Sequence, residues 1–175
     1  MRLPLLIALL ASMASVSRAA EPDANGDALL RKAEACIRAQ APAAASVAQN
    51  PNEAVTFVID GLCAVEVQHF ETYQRNVLML AGWRATPAKP AIEVDSAHPS
   101  KFEQTLLDQA AETNAGLAKV TIDPVTGEMT TPPGFRPPLD TSSWMAVLGI
   151  GLMHQAHLKA VAAAAVLAAD QAARH

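Results

Sequence analysis

Two short stretches carry residue types at metal-ligand spacing. Glu66-Val67-Gln68-His69 is a Glu-x-x-His pair, and His154-Gln155-Ala156-His157 is a His-x-x-His pair. Side chains three apart on a helix share a face, with about 5 to 6 Å between β-carbons, so each pair can offer two donors to one ion. An imidazole-rich set suits Zn or Cu better than Mg or Ca, which take oxygen ligands. Di-metal carboxylate bundles use Glu-x-x-His twice, with further glutamates from other helices. Here the motif occurs once, so separately satisfied histidines account for the same residues. Met79, Met145 and Met153 read as core gap-fillers rather than copper ligands.

The second chemistry is that of sulfur. Cys36 and Cys63 are the two cysteines, too far apart for a C-x-x-C redox pair, and in an exported chain they are expected to form a structural disulfide. Closing the loop between them is worth about 3.5 kcal/mol on the chain-entropy estimate. Catalytic signatures are absent from the sequence: no G-x-S-x-G, no H-E-x-x-H, no haem-attachment C-x-x-C-H and no glycine-rich phosphate loop. An enzyme would need a constellation that spacing alone does not reveal.

The start of the chain has the layout of an export signal. Met1-Arg2 is basic, Leu3 to Ala14 is almost unbroken apolar sequence, and Ser17-Arg18-Ala19 places small residues where a signal peptidase reads them. That apolar run is too short for a membrane anchor, which needs roughly 20 residues. Cleavage after Ala19 removes two arginines and takes the net charge from -4 to -6, with 17 acidic residues retained. An acidic product without a basic cluster is a poor partner for nucleic acid or anionic lipid. The expected location is the bacterial periplasm or the extracellular space.

The elements that must position these residues follow from periodicity. Of the 175 residues 37 are alanine, 51% are hydrophobic and 17% charged, a mixture rich in helix formers and too apolar for a disordered chain. Leu29, Leu30, Ala33, Cys36 and Ile37 mark one face of a helix over 27–40, which Pro42 is expected to close, leaving 41–50 as a connection. Asn52 reads as the cap of a second helix carrying Val55, Ile59, Leu62, Val65, His69, Tyr73, Val77 and Leu80 as far as Gly82. The rival over 55–67 is a hairpin turning at Asp60-Gly61. The helix is preferred, because Phe57-Val58-Ile59 does not alternate polar with apolar.

Ser100 and Glu103 form a capping box for a third helix with Phe102, Leu106, Ala110 and Thr113 on one face and Gly116 at its stop. Val120-Thr121-Ile122 and Asp123-Pro124-Val125-Thr126-Gly127 predict a small hairpin. Pro132 to Pro138 then predict an extended strap anchored by Phe135. A final helix follows Asp140-Thr141-Ser142-Ser143. Its first part, Trp144 to Met153, is apolar on every side and is expected to be buried all round. A transmembrane reading of this helix puts His154, Gln155, His157 and Lys159 near mid-bilayer, where one Lys costs about 2.5 to 3.5 kcal/mol, so a span is disfavoured.

The expectation is therefore a mainly α protein. A signal peptide at 1–19 precedes a single helical domain at 20–175, a bundle of about four helices with a short β-hairpin and a proline-rich strap. Its expected role is that of an exported binding or assembly module with one disulfide, engaging a protein partner or a second copy. The first rival is a metal-binding bundle using Glu66, His69, His154 and His157. The second is membrane association through Trp144 to Met153.

Overall fold

A computed structural model describes residues 23–86, 88–90, 93–94, 98–138 and 142–175. The export signal expected at 1–19 lies outside the described residues, as do the caps expected at Asp140 and Thr141. Asp23 opens α1 (Ala24–Val47), its carboxylate accepting the Gly26 N–H at 3.2 Å and the Tyr73 hydroxyl at 2.9 Å. The first contact satisfies a free amide at the helix start, and the second ties that start to a distant helix.

Along α1 the buried positions Leu29, Ala33, Ile37, Ala41 and Ala44 repeat every three to four residues, as one helix face requires. Pro42 does not end this helix. It stands inside it and on its exposed side, while Ala41 and Ala44 are buried. A proline inside a helix costs about 3 kcal/mol, and packing of its buried neighbours offsets that cost. The connection expected at 41–50 thus shrinks to a few residues around Ala48.

The next helix begins two residues earlier than the Asn52 reading. Asn50 is the cap, its side-chain oxygen accepting the Glu53 N–H at 3.0 Å, and Pro51 occupies the first turn of α2 (Pro51–Phe57), where its missing N–H does no harm. Glu53 reaches back to accept the Gln49 N–H at 2.8 Å. At Asp60-Gly61 the chain neither reverses nor continues as a regular α-helix. Val58–Leu62 form one π turn, closed by the Cys63 N–H donating to the Val58 carbonyl at 2.9 Å, and α3 (Ala64–Ala85) follows.

A π turn inserts one residue and rotates everything after it by about 100°. The buried line accordingly runs Ala54, Val58, Cys63, Val67, Phe70, Tyr73, Leu80, with a step of five across the turn. The line predicted through Leu62 and Val65 is displaced, and both side chains are exposed. The same rotation faces Cys63 toward α1, where its sulfur is bonded to that of Cys36, with α-carbons 5.8 Å apart. The extra residue of the π turn is what keeps Cys63 in the buried line.

α4 (Lys101–Leu117) starts at the predicted capping box: Ser100 Oγ accepts the Glu103 N–H at 3.3 Å and Glu103 accepts the Ser100 N–H at 2.8 Å. Its Asn114 side chain holds the preceding loop by donating to the Ala88 carbonyl and accepting the Ala88 N–H. The predicted hairpin is present as β1 (Thr121–Ile122) paired antiparallel with β2 (Met129–Thr130), Thr121 opposite Thr130 and Ile122 opposite Met129.

Asp123 shapes the hairpin turn by accepting the N–H groups of Val125 and Thr126. Gly127 closes it at φ +75°, where a β-carbon would stand 2.7 Å from the His69 carbonyl. Only glycine fits there, and the buried Asn76 amide donates to the Gly127 carbonyl at 2.8 Å, so the turn is locked onto α3. Phe135 anchors the strap as predicted. It lies 6.1 Å from Trp83 in a small second core with Leu80, Leu117 and Val120.

α5 (Ser142–Ala173) packs along α1 and α3 and touches α2. Its buried residues Leu158, Ala162 and Val166 complete the main core with α1, α3 and the π turn. Ala33, Ala41, Ala44 and Ala162 belong to this core, and small side chains let helix backbones approach closely.

Candidate functional site

The four residues predicted as a metal set do not come together as one group. His154 and His157 stand on α5 as expected, but α3 meets them with Phe70, whose ring centroid lies 5.1 Å from that of His154. His69 is one residue before Phe70 and so is turned about 100° away. It lies at the hairpin, where its carbonyl abuts Gly127 and its charge adds a minor influence on Asp123. Glu66 belongs to the same helix as His69 and is half-buried. Among the described residues no group of three or more His, Cys, Asp or Glu is placed to hold one ion. The convergence expected of Glu66, His69, His154 and His157 is not seen: the α3 side chain that meets His154 is Phe70, one position after His69.

Each α5 histidine has a different partner instead. His157 Nε2 lies 2.8 Å from Glu34 Oε1, and Arg38 holds the other carboxylate oxygen, Oε2, at 2.7 Å. The His157 hydrogen bond, followed by that of Arg38, keeps the Glu34 carboxyl below its ordinary range. His154 is pushed the other way for a base: burial chiefly, then the charge of His157, lower its pKa, and the nearby Glu71 carboxylate opposes them. An imidazole whose charged form is disfavoured and whose ring is tilted against that of Phe70 is a packing group. Spacing alone could not reveal the Glu34 contact, since its partner is 123 positions away.

The feature that most departs from a self-contained fold is the start of α5. Leu148, Leu152 and Met153 are 56%, 68% and 65% exposed, and a β-carbon added at Gly149 or Gly151 would meet nothing within 4 Å. Of the run Trp144 to Met153, the described side chains from Leu148 onward are therefore not buried all round. The apolar character continues along the outward face, where Gly149, Met153, Ala156, Ala160, Ala164 and Leu167 follow one another at spacings of three and four and are all exposed.

Beside the large residues a groove opens between α5 and α3, lined by Leu148, Leu152 and His154 on one side and Glu71, Arg75 and Leu78 on the other. Buried apolar area stabilises at about 25 cal/mol per Å², so leucines and a methionine left in water represent free energy available to whatever covers them. Contiguous exposed apolar surface marks an interaction site in soluble proteins. Comparison with protein-family models, with curated proteins and with solved structures finds no match to this chain.

Proposed function

We propose that this protein is an exported helical binding or assembly module, braced by the Cys36–Cys63 disulfide, whose docking element is the apolar start of α5. The observation that carries the reading is the exposure of Leu148, Leu152 and Met153 on one helix segment beside an open groove. Export is supported by the basic, apolar and small-residue order of residues 1–19 and by a disulfide of a kind that persists in oxidising compartments.

The test is a photo-crosslinking amino acid placed at residue 152, on the apolar segment, and at Glu112, an exposed position of α4. The expected result is a covalent protein adduct from position 152 in intact cells and none from position 112. No adduct from position 152 overturns the reading. Mature protein beginning at Ala20 with no free thiols is expected from mass spectrometry, and an intact Met1 with two free sulfhydryls overturns export.

A second reading, membrane association, is favoured by one observation: Leu148–Ala173 is 26 residues long and apolar enough to cross a bilayer by length and composition. Against a full span stand His154, His157 and Lys159 in its first half and the core contacts of Leu158, Ala162 and Val166. Retention in the membrane pellet after a carbonate wash would support this reading, and full release would dismiss it.

A further inference from the structure

Given the docking reading above, on which this inference rests, the choice of occupant turns on the charges of the groove. Glu71 and Arg75 stand one helical turn apart on α3, on the groove beside Leu148 and Leu152. Neither has an ion pair or hydrogen bond with another described residue. A surface that carries one acid and one base side by side, neither held in an ion pair by another described residue, is complementary to itself. A two-fold axis passing midway between them sets α3 antiparallel to its copy, with the Glu71 carboxylate of each subunit opposite the other's Arg75 guanidinium.

We infer that a second copy of this chain covers the α3–α5 groove, two reciprocal Glu71–Arg75 ion pairs fixing the register and the leucines at 148 and 152 closing over them. The apolar flanks exclude water, and a charge pair in partly desolvated surroundings discriminates between registers more than an exposed one does. A lipid surface fits the groove less well. The acidic carboxylate in its wall and the net negative charge of the chain oppose anionic headgroups. The interface is confined to parts of two helices, so it belongs to the small class and the dimer is expected in the micromolar range.

Sedimentation equilibrium of the mature, disulfide-bonded protein tests the inference with three variants: Glu71→Arg, Arg75→Glu and the double exchange. Each single exchange sets like charges opposite and is expected to raise the dimer dissociation constant about tenfold or more, while the double exchange restores it to within about threefold. Far-UV circular dichroism and a thiol assay certify that each variant is folded and bridged. A monomer at every concentration, single variants that dimerise like the parent, or a double variant that stays dissociated would each overturn the inference. The two proposals fail separately. A position-152 adduct to a different protein from a monomeric parent removes the second copy and leaves the docking reading standing, whereas no adduct and no dimer removes both.

Discussion

The two ends of α5 have similar apolar composition and opposite fates. From Leu158 to Val166 the helix presents Leu158, Ala162 and Val166 to α1 and α3, each almost fully buried, while Leu148, Leu152 and Met153, earlier on the same helix, stand mostly in water. Hydrophobicity alone therefore does not place a helix in a core. What places it is a facing helix with small side chains and a fixed register, which α1 supplies through Ala33, Ala41 and Ala44. Leu148 and Leu152 border α3 across a groove instead, and among the described residues no such alanine-lined face lines it.

The largest break in that comparison comes from removing what holds the gripping surface together. Cys36 sits on α1 and Cys63 at the head of α3, so their bond joins the two helices that bury the second half of α5. Replacing both cysteines with serine or alanine is expected to lower the unfolding free energy by about 3.5 kcal/mol, read from the midpoint of urea denaturation. The exposed Leu148, Leu152 and Met153 contribute nothing to this term. A double variant as stable as the parent would show that helix packing alone sets the geometry.

The same substitution at both ends sharpens the contrast. Leu158 is 1% exposed and Leu152 is 68% exposed. Leu158→Ala leaves a cavity among packed side chains and is expected to cost about 3 kcal/mol. Leu152→Ala is expected to change stability by less than about 0.5 kcal/mol, while weakening association. Equal costs at the two positions would mean that the start of α5 is covered within the chain, and the docking reading would lose its surface.

How much of this was legible in the sequence depends on the range of the interaction. The Ser100–Glu103 capping box, the Asp123 turn with its glycine, and the Phe135 anchor were readable because residues a few positions apart decide each local geometry. The cysteine pairing was readable from composition and presumed compartment. Pro42 was misread because a local rule about proline was overridden by the burial of Ala41 and Ala44 in a core that the local window does not contain. The π turn was misread because one inserted residue leaves no mark in an apolar pattern, yet it puts Cys63 and Val67 in the buried line in place of Leu62 and Val65. One position further on, Phe70 rather than His69 meets His154, and the candidate metal set does not assemble among the described residues. The exposure of Leu148, Leu152 and Met153 was hidden for a third reason: an all-round apolar segment looks the same in sequence whether it is enclosed or uncovered.

His154 marks the boundary between the two ends, and it gives the smallest and most specific effect. In the folded protein its pKa is lowered, first by burial and then by the charge of His157, with Glu71 opposing. In the unfolded chain it titrates near its ordinary value of about 6.5. Between those two values the unfolded state binds more protons than the folded state, so this residue makes stability rise with pH. Its contribution is complete above about pH 6.5 and is lost as the pH falls through that value toward the lower folded pKa. Glu34, whose carboxyl is held low by His157 and Arg38, acts in the same direction in a more acidic window, losing its contribution as the pH falls below about 4.5. Urea midpoints measured from pH 7 to pH 5 are therefore expected to decline in the parent and to flatten in His154→Leu, a change that keeps the contact with Phe70 and removes the titration. An unchanged slope in that variant would locate the proton uptake elsewhere and leave His154 a passive filler between the gripped and the open halves of the helix.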